Sequence, residues 1–321
     1  MKLELLIDDV EIIQNIVGVK DQNIKMIEEL FETNISIRGN EIFSTVEEEQ
    51  KSSLEEIFKI LIHIAKHKYQ ITTRDIIYIH NLLLNNKGAE LLKLYDKPII
   101  VGKKYGGKEI VAKTLNQRIY INELKSKDII FGVGPAGTGK TYLAVSYATT
   151  LLKEGMIKKI ILTRPAVEAG ESLGYLPGDL KEKIDPYLRP LYDSLYDTLG
   201  FETTNDLINK EVIEIAPLAY MRGRTLENAC IILDEAQNTT TKQMKMFLTR
   251  MGLKSKMIIT GDISQTDLPK GVKSGLQQVI KILSKIKEIG VVNFDRYDVV
   301  RHPLVAKILE CYQEVEGEKY E

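Results

Sequence analysis

The residues best equipped for chemistry stand together at 129 to 141, in IIFGVGPAGTGKT. Gly134, Gly139, Lys140 and Thr141 fit G-x-x-x-x-G-K-[ST], with Pro135, Ala136, Gly137 and Thr138 between them. Glycines there let backbone N–H groups turn inward around an anion. A helix opening near Thr141 points its positive end at the same spot. Lys140 adds a point charge for the outer phosphates of a triphosphate, and the Thr141 hydroxyl suits a magnesium ion. Gly132, Gly134 and Gly137 also spell G-x-G-x-x-G, the dinucleotide turn. That reading needs an acid at the end of the next strand. KKIILTRP ends instead in Thr163 and Arg164, and a dinucleotide site has no use for Lys140 and Thr141.

A second stretch complements the first. ACIILDEAQN, 229 to 238, is an apolar run ending in two acids. At the carboxyl end of a parallel strand such residues face the ligand crevice. Asp234 is the candidate for the magnesium shell. Glu235 is the candidate that orients or deprotonates an attacking water. KMIITGDISQ, 256 to 265, repeats the pattern, and Thr260, Asp262 and Gln265 are candidates for sensing the terminal phosphate, with Gln237 as a further one. Arg164, Arg222, Arg224, Arg296 and Arg301 are candidates for charge compensation in the transition state, with Arg301 and the MRGRT pair preferred. A guanine-specific site is excluded, because the nearest approach to N-K-x-D is Asn209-Lys210-Glu211-Val212.

These residues need a scaffold. Strands are expected near 129–133, 158–163, 212–216, 229–233, 256–260 and 289–294. Helices are expected between them, including 141–153, 240–251 and 274–286. Apolar strands alternating with helices imply an α/β layer with a mostly parallel sheet covered on both faces. The first 95 or so residues read as a separate small α+β domain, leaving 96–321 for the nucleotide-binding domain. A helix is expected over 24 to 33, a hairpin turning at Gly39-Asn40, and amphipathic helices over 47 to 69 and from Thr73 to Leu84.

Bulk composition narrows the function classes. The chain has 321 residues, 44% hydrophobic and 28% charged, with a net charge of -1, so it is no general polyanion binder. Charge is unevenly spread: residues 1 to 70 hold 14 acids against 8 bases, whereas 97 to 127 hold 8 bases against 2 acids. The second segment reads either as a solvated hairpin or as a face for phosphates. Two cysteines give neither a disulfide framework nor metal spacing, and Cys230 reads as core. No apolar stretch reaches the roughly 18 residues of a membrane span. A cytoplasmic protein is expected.

Taken in order, GPAGTGKTYLA, TRPAVEAGESLGYLPGDLKEKIDPYLRPLYDSL, MRGRTLENACIILDEAQNTT, TGDISQTDLP and DVVRHPLV resemble the PhoH-like proteins of bacteria, over roughly residues 110 to 312. That family is similar to the first motor domain of superfamily 1 helicases. The resemblance implies a RecA-like P-loop NTPase that binds ATP and Mg²⁺, hydrolyses ATP and works with RNA. Carried over by position, it implies nucleotide contacts from Gln117 and from Gly134 through Tyr142, with Gln117 on adenine. It also implies Thr141 and Asp234 at the metal, Lys140 and Glu235 as catalytic residues, and Gln265 as the γ-phosphate sensor. It implies a KH-like N-terminal domain too. A KH module grips nucleic acid with G-x-x-G, and Gly18-Val19-Lys20-Asp21 ends in an acid, so RNA binding is not assigned there.

Too little chain follows Gln265 for a second motor domain of roughly 150 residues. The site is therefore expected to close through Arg301 or through a neighbouring subunit. Completion in trans builds a ring, and family resemblance makes it a hexamer. The leading expectation is an ATP-driven machine acting on single-stranded RNA. A nucleotide-dependent switch with little turnover and a small-molecule phosphotransferase are the alternatives.

Overall fold

A computed structural model describes residues 2–7, 9–67, 69–84, 92, 95, 98–165, 180–269 and 271–299. They fall into two compact units, one over 2–98 with 113–115, the other over 99–112 and 116–299.

The first unit is α+β. Its order is β1 (Lys2–Leu6), α1 (Val10–Val17), α2 (Gln22–Phe31), β2 (Ile35–Arg38), β3 (Glu41–Ser44), α3 (Glu48–Lys66) and α4 (Thr73–Leu84). The three strands form an antiparallel sheet in the order β1-β3-β2. Arg38 pairs with Glu41 across Gly39-Asn40, so the expected hairpin forms with a two-residue turn. On α3, Leu54, Ile57, Phe58, Leu61 and Ile64 are buried at helical spacing. That stripe packs one face of the helix onto the core. The Gly18–Asp21 turn winds tightly, with Lys20 and Asp21 both at positive φ.

The second unit begins with the antiparallel hairpin β4 (Ile100–Lys103) and β5 (Glu109–Val111), then α5 (Leu115–Ser126). Alternating strands and helices come next: β6 (Ile129–Val133), α6 (Lys140–Lys153), β7 (Lys159–Arg164), α7 (Leu180–Leu199), α8 (Phe201–Asn209), β8 (Ile213–Pro217), β9 (Ala229–Leu233), α9 (Thr241–Leu248), β10 (Lys256–Gly261), α10 (Gly275–Leu283) and β11 (Ile289–Asn293). The six strands from β6 onward form one parallel sheet in the order β11-β6-β10-β9-β7-β8. Each face carries its own core. Ile130, Ile160, Cys230, Ile232 and Ile258 pack with Tyr120 and Leu143 on one side. Phe131, Val133, Ile161, Ile231 and Ile259 pack with Met244 and Phe247 on the other. Every residue of β9 is buried, as a central parallel strand requires. Burial pushes the Cys230 thiol up to about 12, which makes it an inert core side chain.

Strand order decides which loops become neighbours at the edge of the sheet. β10 lies between β6 and β9, and β7 lies on the far side of β9. The carboxyl ends of four strands therefore sit in a row.

Candidate nucleotide site

Between β6 and α6 the chain folds into the glycine loop. Gly134 enters it at φ +146°, and a Cβ there would stand 2.3 Å from the backbone oxygen of Phe294. No side chain fits. Gly139 caps α6 in the left-handed region at φ 81°, which only glycine adopts without strain. The loop is braced from both neighbours: Gly134 N–H donates to Gly261 O at 3.1 Å, and Phe294 N–H donates to Val133 O at 2.7 Å.

Lys140 is turned back onto this loop. Its Nζ donates to Gly134 O and Pro135 O, each at 2.7 Å, and to Thr138 Oγ1 at 3.1 Å. The ammonium thus gathers neutral oxygens inside the cradle, although Lys140 is almost fully buried. A phosphate is the partner such a placement favours, because it answers the charge. Gln117 is buried on α5 and donates from Nε2 to Thr138 O at 3.0 Å, which ties it to the loop. Tyr142 follows the loop in the first turn of α6. Its hydroxyl donates to Asp197 Oδ2 at 2.5 Å, and Lys104 Nζ reaches the same carboxylate at 2.8 Å. Burial, then this hydrogen bond, holds the Tyr142 phenol well above its ordinary pKa.

The acid side is built differently. Asp234 follows β9 and is buried. Its Oδ1 accepts from Thr141 Oγ1 at 2.6 Å and from Thr260 Oγ1 at 2.7 Å. Its Oδ2 accepts from Arg164 Nε at 2.8 Å and from Arg164 Nη2. Three segments, α6, β10 and β7, therefore converge on one carboxylate. The next residue, Glu235, is half-exposed and takes the left-handed conformation at φ 54°. A non-glycine residue held there stores strain. Asp234 is buried and Glu235 is half-exposed, yet both carboxylates reach Arg164 Nη2. Glu235 Oε1 lies 3.7 Å from Arg164 Nη2, and its Oε2 accepts from Gln237 Nε2 at 2.6 Å. Gln237 then reaches β10, where its Oε1 accepts the Asp262 N–H at 3.0 Å. One amide thus links Glu235 to the turn after β10. Asp262 is buried there, with Oδ1 accepting from Ser264 N–H at 3.0 Å.

The remaining candidates spread out. Gln265 is exposed in the turn after β10. Arg224 forks onto Glu214, with Nη1 on Oε1 at 2.5 Å and Nη2 on Oε2 at 2.7 Å. Arg222 is exposed. Arg296 lies over its neighbour Tyr297, 4.9 Å from the ring centre. Arg301, like most of TRPAVEAGESLGYLPG, lies outside the described residues. Sequence reasoning missed the grip of Arg164 on Asp234 and the placement of Thr260 beside it. The only available signal was their place at strand ends.

The donor set suits a hard cation. The Thr141 hydroxyl and the Asp234 carboxylate are hard oxygens in direct contact, next to a loop built for phosphate. Among the described residues no three His, Cys, Asp or Glu side chains converge as a metal cluster. Magnesium typically takes one or two protein oxygens plus phosphate oxygens.

The family described as PhoH-like protein matches residues 109–313. The PhoH-like protein of Bacillus subtilis (strain 168) is 54% identical over 295 residues, 92% of each chain. Protein PhoH of Escherichia coli (strain K12) is 46% identical over 205 residues, 63% of this chain and 58% of its own. Among solved structures, the Sulfolobus solfataricus SWI2/SNF2 ATPase core in complex with dsDNA aligns at 14% identity over 57% of this chain and 43% of its own, with a TM-score of 0.34. The fold assignment rests on the sheet order rather than on that likeness. By its family match and its relatives, this chain belongs to the PhoH-like protein family.

Proposed function

We propose that the chain binds ATP with Mg²⁺ and hydrolyses it in the service of work on single-stranded RNA. The observation that carries the reading is the meeting of Thr141 and Asp234, which joins the phosphate loop to the acid strand. On this reading the nucleotide-binding domain begins near residue 96, after a small N-terminal domain. Residues 134–142 cradle the phosphates, Lys140 faces the β- and γ-phosphates, and Gln117 meets adenine. Thr141 and Asp234 hold the metal, which supplies charge neutralisation along the phosphates. Glu235 takes a proton from the attacking water as oxygen bonds to the γ-phosphorus. The bond to the β–γ bridging oxygen breaks, and ADP and phosphate leave. Gln265 senses the γ-phosphate. Arg301 or a neighbouring subunit completes the site, in a homo-oligomeric ring of six. The reading places the protein in the cytoplasm; no described helix is long and apolar enough to cross a membrane. Support for RNA comes from the basic segment 97 to 127.

The test is Glu235→Gln. ATP binding should persist while turnover falls by about two to four decades, the usual weight of general base catalysis. Lys140→Ala should weaken both. Hydrolysis at the normal rate by Glu235→Gln rejects the assignment. One observation favours a second reading, a switch with little turnover: both oxygens of Asp234 are already occupied by side chains. ATP binding without measurable turnover in the unaltered protein selects it.

A further inference from the structure

The MRGRT turn and α9 border an open cleft of about 470 Å³ that the nucleotide site does not use. Lys242, Lys245, Met246, Thr249 and Arg250 line it from one face of α9 and the turn after it, and Arg222 and Gly223 line it from the MRGRT turn. The spacing places these residues along one stripe of the helix, while Met244 and Phe247 point into the core. Four cations thus surround the cleft, and no carboxylate is among its lining residues. Lys242, Lys245 and Arg222 are exposed. Among the described residues Arg250 is fixed by neutral acceptors only, with Nε on Met246 O at 3.2 Å, Nη1 on Arg224 O at 3.3 Å and Nη2 on Thr249 Oγ1 at 3.3 Å. Its charge is oriented but not cancelled. Arg224, two residues from Arg222, spends its charge on Glu214. The turn that delivers Arg222 also carries Tyr220, 53% exposed.

We propose that this cleft is a binding site for the phosphate backbone of single-stranded RNA, with Tyr220 offering its ring to a base. A local excess of positive charge on a chain of net charge -1 calls for a polyanion. An exposed aromatic ring two residues before Arg222 in the chain favours a nucleic acid over an acidic peptide, because bases stack and carboxylates do not. Single strands are favoured over duplex, whose bases are already stacked. The placement also gives the site a route to the acid pair. Only Ala236–Thr240 separate Glu235 from the first residue of α9. Thr240 anchors that helix through a capping box with Gln243. A strand drawn onto α9 therefore pulls on the segment that sets Glu235.

The inference deepens the RNA reading above and rests on it, but its test needs no ATP. A fluorescein-labelled oligouridine is titrated with the full chain at rising potassium chloride, and anisotropy is followed. Lys242→Glu/Lys245→Glu should weaken binding at least tenfold. It should also flatten the plot of log affinity against log salt by about 1.4, since each single-strand phosphate contact contributes about 0.7. The milder Lys242→Ala/Lys245→Ala should move both readings the same way by less, with an unchanged melting temperature. Tyr220→Ala should weaken binding while leaving the salt slope as it was. Unchanged affinity and slope in the charge-reversed protein overturn the proposal. So does tighter binding of polyglutamate than of RNA at the same lysines, which gives the cleft to an acidic protein. The Glu235→Gln protein separates the two readings. If it hydrolyses normally but binds RNA through α9, the catalytic assignment fails and the cleft stands. If it loses hydrolysis while the charge-reversed protein binds RNA like the unaltered chain, the cleft alone fails.

Discussion

The two sides of the nucleotide site are held by different kinds of partner. On the loop side, Lys140 meets two backbone carbonyls and one hydroxyl. These three partners lie within six residues of it in sequence. On the acid side, Asp234 meets Thr141, Thr260 and Arg164, drawn from segments 93, 26 and 70 residues away. The loop is a local object whose shape follows from its glycines. The acid cluster is a meeting of strands and exists only once the sheet has formed. One side is ready for a ligand to replace weak neutral partners. The other must rearrange charged ones.

Stability in the nucleotide-free protein should reveal that contrast most strongly. Asp234→Ala removes the buried carboxylate that the largely buried Arg164 grips and leaves it Glu235 at 3.7 Å; breaking a buried pair costs about 3 kcal/mol. Lys140→Ala removes bonds to neutral oxygens and should cost about 1 kcal/mol. Urea denaturation measures both, and equal losses would erase the distinction. A double-mutant cycle between Arg164→Ala and Asp234→Ala comes next, with an expected coupling of about 2 kcal/mol. Arg164→Lys should recover only part of it, because lysine cannot reproduce the two-nitrogen grip on Oδ2. A coupling near zero means that the pair does not hold the acid side.

Gln237→Ala probes the bridge between Glu235 and the turn after β10. Losing these two hydrogen bonds should cost about 1 kcal/mol of stability. It should lower single-turnover hydrolysis more than ATP binding. A change confined to ATP affinity would place Gln237 on the loop side of the comparison.

The smallest effect concerns Arg224 and Glu214, a more exposed pair that serves as a reference for the buried one. The Arg224 guanidinium holds the Glu214 carboxyl below its ordinary pKa. Its stabilisation is complete above the ordinary carboxylate range and fades as pH falls through it, once the carboxyl takes a proton. Part of each side chain faces water, so the pair is worth about 1 kcal/mol at most. Glu214→Gln should lower neutral stability by about 1 kcal/mol at most, leave stability below the carboxylate range unchanged, and so slightly flatten the acid limb of a stability–pH curve. A steep loss at neutral pH would show that the fork supports the fold more than its exposure suggests.

Much of this was legible in the sequence. All six strands of the parallel sheet form within two residues of their expected bounds, because buried parallel strands are continuous apolar runs. The hairpin at Gly39-Asn40 and the amphipathic face of α3 were legible for the same local reasons. The basic segment 97 to 127 forms a hairpin and a helix, and its Lys104 is paired with Asp197. A charge count cannot anticipate such a distant partner. The Arg222 and Arg224 pair shows the same limit. Two arginines two residues apart look equivalent in MRGRT, yet one meets an acid and the other faces an open cleft.

By itself the sequence determined the glycine cradle, the strand ending in two acids and the apolar strands that carry both. Each depends on neighbours a few residues away and on whether a run is apolar. The tertiary structure decided which side chains surround the acids. Inserting β10 between β6 and β9 put Thr260 against Asp234, and laying β7 on the other side of β9 put Arg164 there. Strand order is set by how both faces of the sheet are covered, a property of the whole unit that no short stretch of residues encodes.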